Sequence, residues 1–110
     1  MRQVLFASLL ITLLFTGGCG PAKPITESEF KGFCYQYGGS ENSGCGDIIS
    51  ICDEFTTVMS IKQTSRDACQ EACKDIKQPL YMRYVVTDCA GAPNYANDWC
   101  IRYCRTNYPN

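Results

Sequence analysis

The sequence predicts a small, disulfide-rich, mainly α protein: a helical hairpin stapled through paired cysteines, with an irregular N-terminal loop region ahead of it. Three observations carry this expectation. The chain has 110 residues, and nine of them are cysteine, the density of a scaffold held by bridges rather than by a large core. An apolar run near the N-terminus addresses the chain to an oxidising compartment, where such bridges form. Two Cys-x-x-x-Cys pairs, Cys69/Cys73 and Cys100/Cys104, have the four-residue spacing that puts both sulfurs on one helix face.

Residues 1–18 read as a signal peptide. Arg2 supplies a short positive region, Val4–Phe15 is an apolar run of 12 residues, and Thr16-Gly17-Gly18 follows with small side chains. A run of that length is too short to span a bilayer, which takes about 20 apolar residues. Residues 19–32 read as a tether, since Gly20–Lys31 carries two prolines, alternating charges and few apolar side chains. A single disulfide-rich domain over 33–110 accounts for the rest.

Within that domain, Phe33–Gly46 is a glycine-rich polar loop pinned near its ends by Cys34 and Cys45. Asp47 is placed to cap a helix bearing Ile48, Ile49, Ile51, Cys52, Phe55, Val58 and Met59, although its β-branched residues leave a strand open. Thr64-Ser65-Arg66-Asp67 matches a capping box ahead of Ala68, Cys69, Ala72, Cys73 and Ile76, and Pro79 is expected to end that helix. Leu80–Thr87 alternates and reads as an extended segment or a short helix, with the extended form expected. After a turn at Asp88–Pro93, Asn94 is expected to cap a last helix with Trp99, Cys100, Tyr103 and Cys104 on one face.

The residues that end the apolar segment, Phe15-Thr16-Gly17-Gly18-Cys19, resemble the lipobox of bacterial lipoprotein precursors, departing from it where Thr16 stands in place of the usual Leu. The resemblance implies cleavage before Cys19 and lipidation of that cysteine, hence attachment to a membrane through a lipid anchor. Gly20 after the cysteine implies the outer membrane in a cell with two membranes. The remaining cysteines support an exported product by parity, because Cys34, Cys45, Cys52, Cys69, Cys73, Cys89, Cys100 and Cys104 are an even eight.

Two Cys-x-x-x-Cys helices packed antiparallel join outer to inner, giving Cys69 to Cys104 and Cys73 to Cys100. In outline this resembles the twin Cys-x-x-x-Cys hairpins of several small disulfide proteins, a likeness that implies an architecture and no activity. Cys34, Cys45, Cys52 and Cys89 then keep three possible connectivities. A four-cysteine zinc site competes for the hairpin residues, but an exported chain meets conditions that favour disulfides, so no metal is expected.

The chain contains no histidine, which removes Ser-His-Asp and Cys-His catalysis and histidine-ligated metals together. Asp53-Glu54 and the Glu27/Glu29 pair read as solvated surface rather than as a glycosidase pair. The mature chain carries nine basic against eleven acidic side chains, and no basic run invites nucleic acid. The expectation is therefore a non-enzymatic protein without cofactor, a membrane-anchored binding or assembly domain at the bacterial cell envelope, acting on an unknown protein partner. The alternative is a secreted eukaryotic disulfide-rich peptide acting on an extracellular receptor. Tyr35 and Tyr37, beside Gly38-Gly39, are the candidate binding residues, because tyrosine brings large stiff amphipathic surface to a contact.

Overall fold

A computed structural model describes residues 23–38 and 44–109. The stretch expected to be a signal peptide, Cys19 and residues 39–43 lie outside the described residues. The chain is a small disulfide-rich, mainly α protein, with four helices among the described residues: α1 (Glu27–Cys34), α2 (Ile48–Ser60), α3 (Arg66–Tyr84) and α4 (Ala92–Asn107). No strand occurs among the described residues, and no helix there is long and apolar enough to cross a membrane.

The hairpin is α3 packed on α4. Cys69 is bonded to Cys104 and Cys73 to Cys100, with Cα atoms 5.6 and 5.9 Å apart. The two remaining bridges are Cys34–Cys52, which ties α1 to α2, and Cys45–Cys89, which ties the segment before α2 to the α3–α4 connection. Around these bridges lie Phe30, Ile51, Phe55 and Leu80, all essentially without solvent exposure, and no polar or charged residue is buried among those described. On α2 the buried positions Ile51, Cys52, Phe55 and Val58 recur at three- and four-residue spacing. Packing of that stripe against α3 and α4 overrides the β-branched content. Asp47 stands at the N-cap but makes no side-chain capping bond.

Three local expectations are overturned. Pro79 lies inside α3, which continues to Tyr84, so Leu80–Thr87 is helix and turn rather than extended. Proline removes the bond to the carbonyl of Asp75, but Asp75 is exposed and water can take that acceptor. The stripe Cys69, Cys73, Ile76, Leu80 and Tyr84 passes through the proline without a break, and Leu80 is fully buried. The start of α4 also differs from expectation: it begins at Ala92 after Gly91, with Pro93 in its first turn, rather than at a cap on Asn94. For α3 the cap is Ser65, whose side chain accepts from the Ala68 N–H at 3.0 Å.

The stretch expected to be tether is folded from Ile25 onward. Thr26 and Glu29 form a reciprocal capping box, with bonds of 3.1 and 3.2 Å. Phe30 then enters the core four residues before Cys34. The strand of chain leading into α1 is clasped by the far end of α4: the Ile25 N–H donates to Thr106 Oγ1 at 3.0 Å, and Asn107 Nδ2 donates to the Ile25 carbonyl at 2.9 Å.

Phe30→Ala should therefore cost about 3–5 kcal/mol, read as a lower denaturant midpoint, whereas a tether residue would cost nothing measurable. Pro79→Ala restores a helical donor and should raise stability by about 1–3 kcal/mol in the same assay.

Candidate functional site

Tyr35 and Tyr37 follow α1 in a turn that closes at Gly38, whose φ of 84° is one that a glycine adopts without strain. Both rings are half-buried and engaged within the fold. The Tyr35 hydroxyl donates to Asp53 Oδ1 on α2. That hydrogen bond, then partial burial and the Asp53 charge, push the phenol up to about 12. Tyr37 packs on Tyr95 of α4, ring centroids 5.2 Å apart, and its hydroxyl lies so close to Gly91 that any Cβ there would come within 2.5 Å of it. Tyr95 in turn donates to the Phe33 carbonyl at 2.8 Å. The two tyrosines expected as binding residues thus moor the α1 turn to α2 and α4. Tyrosine's combination of apolar ring and polar tip suits that internal role as well as a binding one.

Of the aromatics on the apolar faces of α2 and α4, Phe55 is fully buried, while Trp99 and Tyr103 sit at the margin. Trp99 stacks on Phe33 at 4.3 Å and carries the Arg102 guanidinium 4.4 Å from its ring centroid. Partial burial raises the Tyr103 phenol, helped by Tyr108 and the Glu27 charge.

The hairpin sulfurs form a tight cluster. Sγ atoms of Cys69, Cys73 and Cys104 lie within 4.8 Å of one another, with Cys73 and Cys104 3.5 Å apart. Each is already bonded in a bridge. All eight cysteines of the domain are paired.

The most exposed apolar side chains gather where α3 ends: Met82 and Val86 are 71 and 91 % exposed, with Tyr81 and Val85 beside them. A reading of 80–87 as an extended segment did not show this patch: Met82 lies on the side of α3 away from the buried Leu80, and Val86 lies just past the helix end. Arg83 within it pairs with Glu54 of α2 at 3.3 Å. A shallow groove between α3 and α4 holds Glu71, Lys74, Asn97 and Ile101, and Asn97 Oδ1 is buried there without a hydrogen-bond partner.

No family model, curated protein or solved structure matches this chain.

A phenol raised in the folded state contributes stability that is complete below pH 10 and is lost as pH rises through about 12. Phenolate absorbance should accordingly show one tyrosine ionising near pH 12 that is missing in Tyr35→Phe and returns toward pH 10 in Asp53→Ala. If Tyr35→Phe removes an ordinary tyrosine instead, the bond to Asp53 does not hold in solution.

Proposed function

We propose that this protein is a non-enzymatic lipoprotein of the bacterial cell envelope, anchored through Cys19, whose domain binds or assembles with another protein. The observation that carries the reading is the complete internal pairing of Cys34, Cys45, Cys52, Cys69, Cys73, Cys89, Cys100 and Cys104. It leaves Cys19, at the end of the apolar segment, as the one cysteine with no partner required inside the domain.

The point where folding begins supports the same reading. With Ile25 already clasped to α4, only six residue steps separate Cys19 from the folded unit. They reach at most about 20 Å, so a lipid on Cys19 would hold the domain at the bilayer surface rather than on a long stalk. The end of α3 bearing Met82 and Val86 lies a helix length of about 28 Å from Arg66 at its start, and so faces away from such an anchor. An apolar patch in that position suits contact with a protein partner. Lack of histidine and the engagement of Asp53 and Glu54 in structural contacts support a binding role over catalysis.

Intact mass of the native protein, before and after reduction, tests the anchor. The expected product begins at Cys19, carries a diacylglycerol, and gains eight hydrogens on reduction of its four bridges. A product without lipid that starts beyond Cys19 would overturn the reading in favour of a secreted disulfide-rich ligand.

A further inference from the structure

The domain's charge is unevenly divided. Ile25, Thr106, Asn107 and Tyr108 meet at one end, where the Tyr108 hydroxyl accepts from the Gln63 N–H at 2.9 Å and the Tyr108 carbonyl accepts from Arg66 Nε at 3.1 Å. This network gathers the start of α1, the α2–α3 connection, the start of α3 and the end of α4. The basic side chains there are Lys23, Lys31, Lys62, Arg66 and Arg105; the acidic ones are Glu27, Glu29 and Asp67. Glu27 is paired with Lys31 at 3.7 Å, and Glu29 is occupied in the cap of α1. The rest of the mature chain holds four basic and eight acidic side chains. A protein that is negative as a whole thus has one positive end.

That end also carries an apolar projection. Ile61 is 62 % exposed, next to exposed Lys62 in the chain, and Lys23 and Arg105, which adjoin the Ile25 clasp, are exposed too. An exposed isoleucine at an end that also carries exposed lysine and arginine side chains has the make-up of a surface that meets lipid headgroups: cations for the phosphates and a small apolar tip for the acyl boundary. It is also the end from which the chain leads back toward Cys19.

We infer that this end of the domain is a docking surface for an anionic phospholipid bilayer, with Lys23, Lys62, Arg66 and Arg105 contacting headgroup phosphates and Ile61 entering the interface. The inference rests on the anchoring reading for its geometry, since a short tether from a lipidated Cys19 presents this end to the membrane. Its charge pattern belongs to the domain alone. The docked domain stands with α3 leading away from the bilayer and the Met82/Val86 patch outermost.

The folded unit begins at Ile25 and its eight cysteines pair internally, so a chain starting at Gly20 keeps the whole fold while carrying neither lipid nor apolar segment. Co-sedimentation of this oxidised chain with phosphatidylglycerol vesicles at low salt is expected, with little binding to phosphatidylcholine vesicles and loss of binding as salt rises. Each near-surface basic side chain strengthens such binding about fivefold, so Lys62→Glu with Arg105→Glu should weaken it by roughly tenfold or more. Ile61→Ser should weaken it several-fold, and Met82→Ser with Val86→Ser at the opposite end should leave it unchanged; circular dichroism confirms that each variant keeps its helices. Equal binding to both vesicle types, indifference to the charge reversal, or loss through the Met82/Val86 variant would each overturn the inference. A lipidated native protein whose domain ignores phosphatidylglycerol would leave the anchor standing and remove the docking surface. A native protein without lipid whose domain binds these vesicles would do the reverse.

Discussion

The two bridges between α3 and α4 are the constraint on which the other contacts depend. Cys69–Cys104 and Cys73–Cys100 fix not only the separation of the two helices but their register, because a pair of links one turn apart forbids both sliding and rotation. A core with only a handful of large apolar side chains would hold such a register weakly. Once the hairpin is set, it offers a platform on which α2 lays Ile51, Phe55 and Val58, and against which α1 inserts Phe30. The other two bridges then secure what the platform has gathered, one for α1 and one for the long connection between α3 and α4.

The cysteine spacing made this platform readable in advance, because a four-residue repeat has a direct meaning on a helix. The apolar stripe of α2 was readable for the same reason. What escaped was decided by contacts distant in sequence. Pro79 looks like a terminator until Leu80 and Tyr84 are seen to continue the buried stripe that Cys69 and Cys73 begin. Residues 27–32 look like tether because their polar side chains outnumber Phe30, although Thr26-x-x-Glu29 is itself a helix-start signature that could have revealed α1. The partners of Tyr35 and Tyr37, Asp53 and Tyr95, lie 18 and 58 positions along the chain. No local pattern announces such pairs. Solvent exposure at Met82 and Val86 was equally invisible, because it depends on where α3 leaves the core beyond Leu80.

The two ends of the domain differ in kind. Where the start of α1 meets the end of α4 the surface is basic and hydrogen-bonded; where α3 ends it is apolar and open. A fold of this size has little surface to share between tasks, and placing unlike chemistries at opposite ends of one long helix keeps them from competing. On the proposed reading, the first end belongs to the membrane and the second to a partner protein.

The clasp of Thr106 and Asn107 on Ile25 gives the molecule a defined response to mechanical load. Tension applied from the N-terminal side meets those few hydrogen bonds first, then the eight residues of α1. Beyond Cys34 the path becomes covalent, because the bridge to Cys52 hands the load to α2. The bonds Cys45–Cys89 and Cys69–Cys104 then carry it across the whole remaining chain. A pull from the N-terminal side can therefore peel α1 away as a short extensible lead, while everything from Cys34 to Cys104 stays tied together.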